Sequence, residues 1–227
     1  MESLLSRPGK KEVLCITDSI TDSNCYMIMG NHSCVIIDPN NAQMITQVLD
    51  QWGKKPSLVL LTHGHCDHMS GLNEIRKRYD IQVAASEKCS LELQDVTLNM
   101  SRMMETYLYF KSGERRIYPY APFICDRADI VFEDELVISF EDEEIYMKLL
   151  PGHTHGSSAI RYEDILYSGD YLLPDDKVVT RLPGGCEEEY EKYTKPWLKT
   201  VADNTIICPG HGKPYKMCEE MRIQHDI

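Results

Sequence analysis

The chain has 227 residues, 42% of them hydrophobic and 26% charged, which suits one sizeable α/β domain with a full core. Its net charge of −12 disfavours nucleic acid and acidic membrane, because no basic surplus exists to displace counterions and no long basic run overrides the balance. No apolar run would serve as a signal peptide or membrane span, so the expected location is the cytoplasm, and the nine cysteines, odd in number and without a C-x-x-C pair, read as reduced and mostly buried thiols.

Residues 13–16 and 25–29 read as strands, Gly30-Asn31 as a hairpin turn, and residues 34–38 as the returning strand, ended by Asp38-Pro39. His32, beside that turn, is a solvated residue. Residues 42–52 have helical spacing, with Ile45, Val48, Leu49 and Trp52 on one face. An apolar strand at 58–61 runs into Thr62-His63-Gly64-His65-Cys66-Asp67-His68. A helix over 73–79 and a strand over 81–85 follow. From 87 to 127 the pattern breaks, and the stretch gathers Met100, Met103, Met104, Tyr107, Tyr109, Phe110, Tyr118, Tyr120 and Phe123. Residues 130–132 and 136–140, separated by an acidic turn, begin a second half that repeats strands up to Asp170. A helix over 187–201 and a last strand from Thr205 complete two similar αβ halves of one domain.

The cluster that starts at His63 holds three of the eight histidines and an aspartate within six positions. It follows a buried strand, so it lies on the loop leaving the strand's C-terminal end, where open α/β sheets place their sites. Imidazole and carboxylate suit Zn²⁺ and Fe²⁺. His63 and His65 alternate along extended backbone and can face one metal, while Asp67 and His68, at the turn into the helix, can face a second position. Burying so many polar groups would be costly unless a metal compensated. Three more strand ends supply similar groups: Pro151-Gly152-His153-Thr154-His155-Gly156-Ser157, Ser168-Gly169-Asp170 and Pro209-Gly210-His211-Gly212. Four strand ends converging on one edge is what a binuclear site needs. Cys66 is assigned to packing, since His65 and Asp67 take the inward directions.

H-x-H-x-D-H, G-H-T-x-G-S, S-G-D and P-G-H-G, in this order, resemble the metallo-β-lactamase superfamily over about residues 24–214. Two features resemble its glyoxalase II-like (hydroxyacylglutathione hydrolase-like) branch: His68 closes the first motif, and Arg181-Leu182-Pro183-Gly184-Gly185 precedes the last histidine. The resemblance implies a four-layer αββα sandwich in one domain, 1–227, with a helical cap insertion at about 87–127. It implies two divalent ions, zinc first, with iron or manganese as alternatives. His63, His65 and His153 would hold one, Asp67, His68 and His211 the other, and Asp170 would bridge them. Asp38 would support the metal loop from behind. The implied reaction is hydrolysis of a small-molecule ester, thioester or lactone by a metal-bridging hydroxide that Asp67 orients, with no serine or cysteine nucleophile.

Substrate contacts are assigned to the rim. Met103, Tyr107 and their neighbours form an apolar wall, with structural packing or a dimer contact as the competing role. Arg181 can pair a substrate carboxylate in bidentate fashion, or a surface carboxylate. His155, where many relatives carry proline, points at substrate or solvent. Glyoxalase II binds glutathione through a basic C-terminal helical extension, largely missing after Ile227, and a β-lactamase needs an export signal, so neither activity is expected. The rival readings are a mononuclear iron persulfide dioxygenase-like oxidoreductase, using two histidines and Asp170, and a non-enzymatic binding module. The expected partner is a small-molecule substrate, with no nucleic acid or membrane, and a homodimer stays open.

Overall fold

Period-two alternation of apolar residues sorts the strands into two sheets. A computed structural model describes residues 2–5, 7, 9–111 and 117–227. In the first sheet, β1 (Glu2–Leu5), β2 (Glu12–Thr17), β3 (Asn24–Met29), β4 (Ser33–Ile37), β5 (Lys55–Leu60), β6 (Gln82–Ser86) and β7 (Ile130–Phe132) lie side by side in chain order. They are antiparallel as far as β4 and parallel beyond it. The second sheet holds β8 (Glu135–Phe140), β9 (Glu143–Leu149), β10 (Ser158–Tyr162), β11 (Ile165–Gly169), β12 (Ile206–Pro209) and β13 (Tyr215–Lys216), in the spatial order β13-β12-β11-β10-β9-β8. It is antiparallel except where β11 meets β12.

Parallel neighbours need crossovers, and helices supply them. α1 (Ala42–Trp52) joins β4 to β5; the Asn41 side chain caps it by accepting from Met44 N–H, and Gly53 at φ 60° ends it. α2 (Cys66–Met69) and α3 (Leu72–Arg78) join β5 to β6, and α4 (Glu87–Glu92) and α5 (Met104–Lys111) lie between β6 and β7. Leu14, Ile16, Met27 and Ile36 face these helices and bury Ile45, Leu49, Cys66, Met69 and Ile75. Their sequence neighbours Val13, Cys15, Tyr26, Ile28 and Ile37 face the other way, onto Ile145, Met147, Ile160, Tyr162 and Tyr167 of the second sheet. That sheet's outer face, with Leu150, Ala159, Leu166 and Ile207, is covered by Tyr190 and Leu198. The expected αββα layering is therefore present. Full burial of each such side chain contributes roughly 1.5–3 kcal/mol.

Three details depart from expectation. β1 forms ahead of the first expected strand; it is an edge strand, paired to β2, with Leu5 packed against the core between the sheets. The helix expected over 187–201 is broken into α6 (Glu187–Glu189), a π-helical turn (Tyr190–Thr194) and α7 (Lys195–Leu198). Pro196 has no N–H to continue the ladder, and Lys195 N–H reaches five residues back to Tyr190 O. α8 (Glu219–His225) was not foreseen. Of the expected cap, residues 112–116 lie outside the described residues. No described helix is long and apolar enough to cross a membrane.

Candidate metal centre

The donors sit where four strands end. His63 follows β5, and His65 precedes the first turn of α2, on which Asp67 and His68 lie. His153 follows β9, Asp170 follows β11 and His211 follows β12. Close approach of the β11 and β12 loops requires Gly210: a Cβ there would lie 2.3 Å from Asp170 Oδ1 and 2.8 Å from His68 Cε1.

The structure brings all seven expected donors together in two groups. His63, His65, His153 and Asp170 place ligand atoms within 4.8 Å of one another, and so do Asp67, His68 and His211. Asp170 spans the groups: Oδ1 is 3.2 Å from His68 Nε2, and Oδ2 is 3.4 Å from His153 Nε2 and 3.7 Å from His211 Nε2. Asp67 Oδ2 is 3.3 Å from His211 Nε2.

Hydrogen bonds behind the site fix which nitrogen of each ring is bare. Asp38 accepts from Thr62 N–H at 2.8 Å and from Thr62 Oγ1 at 2.5 Å. The Thr62 hydroxyl, its proton given to Asp38, accepts from His63 Nδ1 at 3.0 Å. His68 Nδ1 donates to Asp38 Oδ2 at 3.2 Å, and His153 Nδ1 donates to Val179 O at 2.7 Å. The Nε2 lone pairs of His63, His68 and His153 are thereby left facing inward.

Two of these nitrogens meet a further ring, in pairs that call for a shared proton or a metal between them. His153 Nε2 is 3.0 Å from His65 Nδ1, and His68 Nε2 is 3.4 Å from His211 Nε2. His63 Nε2 is buried without any hydrogen-bond partner. A buried nitrogen without a partner beside such pairs is what a cation would satisfy, and the donor set fits divalent metal. Electrostatics agree. Burial lowers the pKa of His63 and His153, and that of His65 to about 3, keeping the three neutral and ready to ligate. Burial would also lower His68 and His211, but Asp170 and Asp67 outweigh it and raise both. Burial would raise Asp67 and Asp170, yet His68 and His211 hold both low and ionised. Positive charge is wanted beside these carboxylates, as a proton or as a metal.

The other expected residues separate. Tyr107 is 43% exposed and within electrostatic reach of the centre: burial, then the Asp67 and Asp170 carboxylates, raises its phenol. Met103, 45% exposed, lies in the turn just before α5, its carbonyl accepting from Tyr107 N–H at 2.9 Å. Met104 takes the packing role that competes with the apolar wall: it is buried, 3% exposed, in the core between the first sheet and its helices. His155 points away, with Nδ1 2.8 Å from Glu189 Oε2 on the surface. Arg181 is exposed, and among the described residues it makes no hydrogen bond or ion pair, so its competing role as a surface ion pair is not seen. Cys66 packs in the core as expected, and His32 is exposed.

Several supporting residues escaped the sequence reading. Tyr171 Oη accepts from His153 N–H at 2.9 Å and donates to Leu150 O at 2.7 Å. Asn24 Nδ2 donates to Pro209 O at 3.0 Å and Gly212 O at 2.7 Å, holding the His211 turn. Glu92 is buried beside the His153 loop. Adjacency to a motif marks Thr62 and Tyr171; nothing local marks Asn24 or Glu92.

Known proteins resemble this chain. The chain is 28% identical over 193 residues to the probable metallo-hydrolase YqgX of Bacillus subtilis, covering 84% of this chain and 85% of that protein. It is 29% identical over 194 residues to a hydroxyacylglutathione hydrolase of Hamiltonella defensa, covering 84% of this chain but 63% of that enzyme. Among solved structures, the BLEG-1 B3 metallo-beta-lactamase superposes with a TM-score of 0.76 at 24% identity, over 94% of this chain and 97% of that one. The family model described as the metallo-beta-lactamase superfamily matches residues 20–211, and the chain belongs to that superfamily.

Proposed function

We propose that the protein is a binuclear metal-dependent hydrolase that cleaves an ester, thioester or lactone bond in a small molecule. One observation carries this reading: two donor groups share a single carboxylate, Asp170, whose oxygens face His68 on one side and His153 on the other. Two ions held there would supply a water acidic enough to ionise near neutral pH and an electrophile for a carbonyl. The chain supplies the rest. Asp67, held ionised by His68 and His211 against the effect of burial, can accept a proton from that water and orient it. Neutral His63, His65 and His153 keep their lone pairs free for ligation. Tyr107 offers a hydroxyl, and Met103 an apolar surface, where a substrate would enter. Cys66 and Cys89 are poor nucleophiles, since burial pushes both thiols up. The relative named hydroxyacylglutathione hydrolase supports a thioester among the candidates.

Elemental analysis, a panel of esters, thioesters and lactones, and an oxygen electrode together test this. About two ions per chain are expected, with hydrolysis and no oxygen uptake. One iron per chain with oxygen consumption would favour the oxidoreductase reading instead. A chain that takes up no ion, even with added zinc, overturns both.

A further inference from the structure

Glu92, the last residue of α4, is 3% exposed and belongs to neither donor group. The loop that carries His153 reaches it from one side: Thr154 Oγ1 donates to Oε2 at 3.0 Å, and Gly156 N–H donates to Oε1 at 3.1 Å. The same loop is pressed onto α4, since Ser86 Oγ donates to Gly156 O at 2.7 Å and a Cβ on Gly156 would strike Cys89 N at 2.2 Å. From the other side comes the loop that carries His63 and His65. A Cβ on Gly64, between those histidines, would lie 2.9 Å from Glu92 Cβ and 3.3 Å from Oε2. The main chain between two donors thus rests directly on this side chain. Burial pushes Glu92 up to about 7, so the carboxyl is held there against a desolvation cost that an apolar residue would avoid.

We propose that Glu92 is a positioning residue for one half of the metal centre. It sets the spacing between the two loops, so that His63, His65 and His153 converge on one ion. The other half is fastened elsewhere: His68 through Asp38, the Asp67 carbonyl through Ser23 Oγ, and the His211 turn through Asn24. This inference rests on the binuclear reading given above.

The test is a cobalt(II) titration of the full chain, stripped of metal, followed by visible absorption and by chelator competition. His153→Ala marks which absorption belongs to the ion on the three histidines. Glu92→Ala should weaken that ion by about 10- to 100-fold, shift its absorption and leave the other ion unchanged. Glu92→Gln, which keeps an acceptor for Gly156 N–H and a partner for the Thr154 hydroxyl, should restore the affinity. Thr154→Val, nearly isosteric, should reproduce part of the loss, which keeps the test open if Glu92→Ala does not fold. Equal weakening of both ions, failure of Gln to rescue, or unchanged affinity in Thr154→Val overturns the inference. If the wild-type chain binds two ions and the variants match it, this inference alone fails; if the wild type binds none, the binuclear reading fails with it.

Discussion

The segments that carry the donors and the exposed side chains around α5 differ in how much side-chain freedom remains. In the loops, His63, His68 and His153 each have the second ring nitrogen tied to Thr62, Asp38 or Val179. On α5 and the turn before it, Met103, Tyr107 and Phe110 stand 45%, 43% and 76% exposed, and Arg181 has no partner among the described residues. Tied groups can hold charge in a fixed place, which chemistry on a carbonyl requires. Free groups can adapt to different substrates, which recognition tolerates. Under the proposed function, the contrast would put reaction in the loops and selection at the rim.

Breaking the tied side should have the largest effect. Asp170→Ala removes the carboxylate common to both groups. It is expected to lower hydrolysis by more than about 100-fold, beyond what loss of an outer partner does, and to release at least one ion. Retained turnover with full metal content would undo the division. Met104 and Met103 sharpen it, being sequence neighbours of which one is buried and the other exposed. Met104→Ala opens a cavity in the core and should destabilise by about 2–5 kcal/mol in a urea melt, without reordering the substrate panel. Met103→Ala should change stability by less than about 0.5 kcal/mol while reordering the panel. Tyr107→Phe and Arg181→Ala should reorder it too, with metal content intact. If all three rim variants lower every rate uniformly, selection lies elsewhere.

The smallest effect is a pH slope. Folding raises Glu92 from its ordinary value of 4.5 to about 7, through burial that Thr154, Gly156, His155 and Lys88 only partly offset. Between those values the folded chain holds a proton that the unfolded chain has released, so stability falls as pH rises through this window. Glu92→Gln cannot titrate. Its melting temperature should therefore gain on the wild type from about pH 5 to about pH 8. A constant difference would mean that Glu92 does not change charge on folding.

Much of this was legible from residue order. Elements with a clear period, such as α1 and the strands at β2, β3 and β5, were readable because one face or both are buried. The donors were readable because each lies in a short motif at a strand end. β1 and the break at Pro196 were not, since main-chain pairing and a missing N–H leave no apolar pattern. Met103 and Met104 were read alike, as wall or packing, because their side chains are identical and only burial separates them. Asn24 and Glu92 act across 185 and 62 residues of sequence, and no local spacing reports such contacts.

The split of the donors between the sheets has a mechanical consequence. His63, His65, Asp67 and His68 hang from the first sheet, and His153, Asp170 and His211 from the second. An ion gripped from both sides acts as a cross-link between layers otherwise joined by their buried interface, closing chain loops of the order of a hundred residues. Because the unfolded chain holds no such site, occupancy would stabilise the fold by RT ln(1 + [L]/Kd), about 2.7 kcal/mol when free ion is a hundred times Kd. Chelation should then lower the melting temperature and speed amide exchange first along the ends of β5, β11 and β12. The same edge that performs the reaction would serve as a seam that metal closes.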